Sequence, residues 1–208
     1  MARGLSAALC ALVLVSVAAG CGGDEDESTP RAAAAAPVCP AEWKPGWQRL
    51  ANRIQAPVFC PSWMPNPLTG EIDGPWESGY SVKRDRSYLV SFLWHEAGND
   101  VHVNLRGYPG STKIPTCEDT QTVGGVTHRR KLPCFSDRQR TRRIGRFDVT
   151  LYTVNQGVDQ WHLLYTWKAA GSLYTLSEHV APPFSLRRVH QNLERMLRGL
   201  ARLEPNNT

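Results

Sequence analysis

The stretch Tyr88-Leu89-Val90-Ser91-Phe92-Leu93-Trp94-His95, continued by Glu96-Ala97-Gly98-Asn99-Asp100 and Val101-His102-Val103-Asn104-Leu105-Arg106, decides the fold class. Its side chains alternate with a period of two, the period at which a strand sends neighbours to opposite faces. In the second half, Val101, Val103 and Leu105 take one face while His102, Asn104 and Arg106 take the other. One side is therefore apolar and one polar, as in an antiparallel sheet with a single covered face. The residues between the halves are turn-formers, so the stretch reads as a β-hairpin. Loop length sets its register. A five-residue loop at 96–100 pairs His95 with Val101 and sends His102 to the opposite face; a four-residue loop at 97–100 brings the two histidines together.

The same pattern recurs from Phe147 to Val154, turning at Asn155-Gln156-Gly157 into Trp161, Leu163, Tyr165 and Trp167. If Ala170-Gly171 is a two-residue loop, Trp167 opposes Tyr174 and Tyr165 opposes Leu176 on one apolar face. Pro182-Pro183 ends the sheet, and Ser185 caps a final helix running to about Leu203. Leu186, Val189, Leu193, Met196, Leu197 and Leu200 form its apolar stripe, with arginines opposite. Upstream, Trp47, Leu50, Ala51 and Ile54 mark a short amphipathic helix near 46–55. Pro57, Pro61, Pro65 and Pro67 then impose an irregular stretch around Cys60. The expected fold is α+β: an antiparallel β-meander of about six to seven strands covered by the C-terminal amphipathic helix and the short N-terminal helix.

The chain's beginning carries a different message. Arg3 precedes an apolar run from Leu5 to Ala19, 15 residues long. That suits the h-region of a signal peptide and falls short of the roughly 20 residues that span a bilayer. It closes on Val17-Ala18-Ala19-Gly20-Cys21, which resembles the lipobox of bacterial lipoproteins, with Ala18 where leucine is favoured. The resemblance implies cleavage before Cys21, lipidation of that cysteine and attachment to the bacterial cell membrane. Two acyl chains suffice for stable anchoring, each buried methylene contributing about 0.8 kcal/mol. Residues 1–20 are then the signal peptide, 21–37 the lipidated cysteine with a disordered tether, and 38–205 one globular domain. Asp24-Glu25-Asp26-Glu27 and the five alanines before Pro37 cannot repay the entropy of ordering. Such a tether holds the domain roughly 20–25 Å from the membrane. Meander followed by helix loosely resembles the small extracytoplasmic domains of bacterial lipoproteins of unknown function. In outline it is also similar to the half-barrels of lipoprotein carriers, which hold acyl chains between sheet and helix.

Four cysteines remain in the domain: Cys39, Cys60, Cys117 and Cys134. An oxidising compartment favours two disulfides, and the local pairing Cys39–Cys60 with Cys117–Cys134 is the simplest of three. A zinc site is the rival, but no Cys-x-x-Cys is present. Residues 38–208 carry 22 basic and 15 acidic side chains. The segment 129–146 alone holds Arg129, Arg130, Lys131, Arg138, Arg140, Arg142, Arg143 and Arg146 against Asp137, so the whole charge excess sits there. Such a segment attracts an anionic envelope polymer or a lipid headgroup. Nucleic acid is not an expected partner, because aromatics are not interleaved with the basic run.

Catalytic signatures are missing from the mature chain, which has no Gly-x-Ser-x-Gly and no His-Glu-x-x-His. Tyr108-Pro109-Gly110-Ser111-Thr112-Lys113 lacks the second glycine of a phosphate loop and reads as a turn. No cofactor is expected. The sequence points to a membrane-tethered extracytoplasmic binding or scaffold domain, non-enzymatic, for an anionic or lipid-like envelope ligand. The alternative is an envelope hydrolase or metal-dependent enzyme built on His95 with His102, or on His162 with Glu178 and His179. A pocket under the last helix would favour the first, and convergent His and Glu side chains in a cleft the second.

Overall fold

The structure, a computed structural model, describes residues 35–66, 68, 80–155 and 161–206. Cys21, the leader, most of the tether, and Gln156 and Gly157 of the expected turn lie outside them. The elements run α1 Lys44–Ile54, β1 Val58–Pro61, β2 Tyr80–Val82, β3 Tyr88–Glu96, β4 Asn99–Tyr108, β5 Thr116–Val123 and β6 Val126–Pro133. They continue with β7 Asp137–Ile144, β8 Phe147–Val154, β9 His162–Ala169, β10 Ser172–His179, α2 Leu186–Arg198 and β11 Leu200–Leu203. Among the described residues the protein is thus mostly antiparallel β with two helices.

The main sheet has seven strands in the order β2-β3-β4-β10-β9-β8-β7, open at both ends. It is not a single meander. Two antiparallel runs, β2-β3-β4 and β7-β8-β9-β10, meet where β10 returns to pair with β4. The β5–β6 hairpin leaves the sheet between them as a separate two-stranded ribbon, stapled at its base by Cys117–Cys134. The second disulfide, Cys39–Cys60, sits in the core. Both pairings are the ones expected. Among the described residues no helix is long and apolar enough to cross a membrane.

The inner face of the sheet carries the core. Tyr88, Val90, Phe92 and Trp94 of β3 point inward beside Val101, Val103 and Leu105 of β4. Trp167 and Tyr165 stand opposite Tyr174 and Leu176, as the two-residue loop at Ala170-Gly171 requires. Ala170 and Gly171 both have positive φ, 47° and 69°, the geometry that matches strand twist in a tight hairpin. Helix α2 lies against β10, β9 and β7 through Val189, Leu193, Met196 and Leu197, all fully buried. Helix α1 packs on a small β1–β11 ribbon, and Phe59 of that ribbon makes edge contacts with Phe147, Trp167 and Tyr174.

Two expectations change at the C-terminal end. The last helix stops at Arg198 rather than Leu203, and Leu200 is buried in a strand instead of on the helix stripe. The break is Gly199, whose backbone lies against Ser62: its carbonyl accepts from Ser62 N at 2.9 Å, and a Cβ would run into Ser62 Oγ. Residues 58–61, expected to be irregular, form β1 because β11 supplies its antiparallel partner, with Cys60 opposite Ala201. Pro61 is tolerated at the strand's last position.

Candidate functional site

Both helices and the β1–β11 ribbon cover the inner face, so any surface site of the seven-stranded sheet lies outward. The same alternation that buries Val101, Val103 and Leu105 turns His102, Asn104 and Arg106 to that outer face. Across the β4–β10 and β10–β9 pairings, Thr175, Ser177 and His179 share the face with His162 and Leu164. A small second cluster of Phe135, Tyr152, Leu164 and Leu173 seats the base of the β5–β6 arm on the sheet. Beside that cluster opens a cleft of about 450 Å³. Its floor is Asn104, Arg106, Thr175 and Ser177, the Cys117–Cys134 bridge and Phe135 overhang it, and Lys83 borders it from the β2–β3 turn.

Two histidines, His102 and His162, close one end, and His179 packs beside them. His179 stands opposite His162 in the β10–β9 ladder, with His102 alongside on β4. Ring centroids are 4.6 Å apart for His102 and His162, 5.2 Å for His102 and His179, and 5.1 Å for His162 and His179. Nδ1 of His179 donates to the Asp100 carbonyl at 2.8 Å. The Nε2 atoms of His102 and His162 lie 2.6 Å apart, so one of them carries a proton that the other accepts. Two imidazole ligands of one zinc ion would stand about 3.3 Å apart at ordinary bond lengths and tetrahedral angles. The pair is therefore hydrogen-bonded, and among the described residues no three His, Cys, Asp or Glu side chains are disposed around one ion position. Burial, then the neighbouring His162, His179 and Arg106, push His102 down from 6.5 to about 4, with Asp100 opposing. It is neutral at pH 7.

One carboxylate among the described residues, Asp85, lines the cleft, on the Lys83 side. Among the described residues no carboxylate forms an ion pair with Arg106 or Lys83. Asp85 accepts from Ser87 N at 3.0 Å and Ser87 Oγ at 2.6 Å, and these bonds, with the Lys83 charge, lower its pKa. Thr175 on the floor is 2% exposed, and its Oγ1 has no hydrogen-bond partner among the described residues.

The histidine groupings expected from the sequence are assembled only in part: His162 meets His179 but not Glu178, and His95 does not join His102. The β3–β4 loop is neither four nor five residues but two, Ala97-Gly98, with Glu96 opposite Asn99 and His95 opposite Asp100. His95 and His102 share a face, yet His95 binds exposed Asp100 at 3.2 Å while His102 joins the other histidines. Glu178 points to the inner face, so the sheet separates it from His162. Its Oε1 accepts from Asn192 Nδ2 at 2.8 Å, and burial raises its pKa from 4.5 to about 8 against the opposing effects of Asn192 and Arg188. Burial makes it an uncharged acid at neutral pH.

The basic segment divides between two places. Arg129, Arg130 and Lys131 lie on the exposed arm, where Arg129 faces Glu118 at 3.6 Å and Arg130 binds Asp119 at 2.6 Å. Arg138, Arg140, Arg142 and Arg143 lie on the edge strand β7, and Arg146 in the turn that follows. Arg142 reaches inward to Glu194 and to the Tyr165 hydroxyl, which also contacts His190 Nδ1 at 2.7 Å. Arg143 pairs with Asp148 at 3.2 Å, Arg138 bonds Thr141, and Arg146 donates to the Leu200 carbonyl. A second outer cleft of about 490 Å³ beside β7 and β9 includes Arg138 and Lys168, but Asp148 also lines it.

Arg106 and Asn104 are not marked as site residues by the sequence, because each alone is an ordinary strand polar residue. Their signal was parity with His102, which puts 102, 104 and 106 on one face. The sequence sets His179 beside Glu178 but not with His102, because β4 and β10 are distant in sequence and their pairing is a tertiary fact. Comparison with protein-family models, curated proteins and solved structures finds no match to this chain.

Proposed function

We propose that this chain is a lipid-anchored extracytoplasmic binding domain of the bacterial envelope, tethered through Cys21 and non-enzymatic. It presents the outer-face cleft to an anionic envelope polymer or a lipid headgroup. The carrying observation is the asymmetry of the sheet. Among the described residues, Val189, Leu193, Met196 and Leu197 of α2 are fully buried against the inner face. The outer face instead carries a polar floor under a disulfide-braced rim. The two disulfides are compatible with an oxidising, extracytoplasmic setting. The lipobox resemblance supplies the anchor, and the enzymatic alternative loses its carboxylate to the far side of the sheet.

Mass spectrometry of the protein purified from its native membrane tests the reading. The expected mature chain begins at a diacylglyceryl-modified Cys21 and carries both disulfides. A co-purifying ligand is expected to be lost when Ser177→Trp fills the cleft. An unmodified Cys21 would sink the anchor, and a ligand retained by Ser177→Trp would sink the cleft.

A further inference from the structure

We infer that the cleft binds a phosphate ester, held between Arg106 and the His102–His162 pair, with uptake of one proton by that pair. The inference rests on the outer-face cleft being the ligand seat, and it adds the chemistry of the group recognised. It does not use the basic segment 129–146.

The donors around this end of the cleft are arranged for an anion with several acceptor oxygens. Arg106 offers a planar fork, and guanidinium–phosphate pairs are among the stronger hydrogen-bonded contacts. Asn104 lies two residues along the same strand, between Arg106 and His102, and can donate through its amide. Thr175, across the β4–β10 ladder from Arg106, brings a buried hydroxyl that has no partner among the described residues. Ser177 stands opposite Asn104 in the same ladder. A tetrahedral group with three accepting oxygens meets donors from the floor and the end wall together. A planar carboxylate would satisfy Arg106 and leave the wall unmet.

The proton follows from the company the pair keeps. His102 is held neutral by burial and by the positive or potentially positive groups facing it: His162 from β9, His179 from β10 and Arg106 from its own strand. Asp100 on β4 pulls the other way, while Asp85 across the cleft is tied to Ser87. Lys83 adds positive charge at the opposite rim. An anion between Arg106 and the imidazoles cancels that repulsion and favours the charged imidazole, so a proton enters from solvent as the ligand binds. Nothing is oxidised and no covalent bond changes. Binding strengthens as pH falls toward 5.

The test uses the full chain with Cys21→Ser, which cannot be lipidated, and glycerophosphoglycerol, a phosphodiester whose charge is constant between about pH 5 and pH 8. Isothermal titration in two buffers of different ionisation enthalpy should show uptake of one proton per ligand and an affinity rising at least about tenfold from pH 7.5 to 5.5. Arg106→Gln should weaken binding at least about tenfold at either pH. His102→Gln should abolish the proton uptake and the pH dependence, and near-ultraviolet circular dichroism will report whether each variant keeps its fold. Arg140→Gln with Arg143→Gln should bind like the parent; loss there with Arg106→Gln unaffected would overturn the inference. So would binding with no proton uptake, or equal binding of acetate. Vesicles of phosphatidylcholine with and without phosphatidylglycerol separate a membrane headgroup from a soluble phosphate ester. If the phosphodiester fails to bind while Ser177→Trp still expels a native ligand, the cleft stands and only the phosphate is refuted.

Discussion

Tyr88 and Gly107 face each other across β3 and β4, and the tyrosine ring lies where a Cβ on residue 107 would have to be. Tyr88 is buried, so the ring has no free path aside. Gly107→Ala should therefore cost about 1–3 kcal/mol by overpacking, read from urea denaturation; an unchanged midpoint would show that the ring can move. Glu178 makes the other single-residue prediction. Its folded-state value of about 8 lies above the ordinary 4.5, so the folded state favours the protonated acid. That contribution is complete below pH 4.5 and is lost as pH rises through 8. Glu178→Gln, which keeps the bond to Asn192 without a charge to lose, should raise the melting temperature at pH 8 and leave it nearly unchanged at pH 4.5. A gain of equal size at both values would mean that burial of the acid is not the cause. Neither effect was readable from composition. A strand glycine and a strand glutamate are ordinary residues until their opposite neighbours are known.

Among the elements, the β5–β6 arm and the β1–β11 ribbon show what a disulfide does in different surroundings. The arm exposes nearly every residue of both strands, and a lone two-stranded hairpin is marginal in water. Its bridge spans 17 residues, a loop for which chain entropy assigns about 3 kcal/mol. Replacing Cys117 and Cys134 by Ala should speed amide exchange throughout the arm while the central strands β4, β10 and β9 keep theirs. Uniform loss of protection would show that the arm and the sheet unfold together. Removing Cys39–Cys60 should instead lower global stability, because both cysteines are buried in the main core. The helices were legible because their apolar spacing is local. Trp47, Leu50, Ala51 and Ile54 are all fully buried on α1, and Ser185 caps α2 through its contact with Arg188 N at 3.3 Å. The end of α2 was not legible. Helical spacing from Leu197 to Leu200 continues the stripe in sequence, but the close approach of Ser62 to Gly199 diverts the chain into a strand.

At the scale of the molecule, β11 brings the last described residues back to β1 near the start of the domain. Leu200 lies at that junction, fully buried between the ribbon and the core. Leu200→Ala should cost about 2–5 kcal/mol in global unfolding, whereas a cost below about 1 kcal/mol would make the ribbon a peripheral attachment. The charge also changes meaning at this scale. The excess confined to 129–146 in sequence is dispersed in space, with Arg129, Arg130, Arg142 and Arg143 each set against a carboxylate. Alternation of period two and helical spacing are local properties, and so the sequence by itself determined the hairpin strands β3, β4, β8, β9 and β10, the tight turn at Ala170-Gly171 and which of their side chains face inward, and made the two local disulfide pairs the simplest choice. The lipobox resemblance is equally local. Only the tertiary structure decided that β10 pairs with β4 and that His102, His162 and Arg106 border one cleft, with His179 packed beside them. His102 and His162 lie 60 positions apart and the β4–β10 partners further still, and the pairing of distant strands is selected by the burial of the whole inner face, which no single segment encodes.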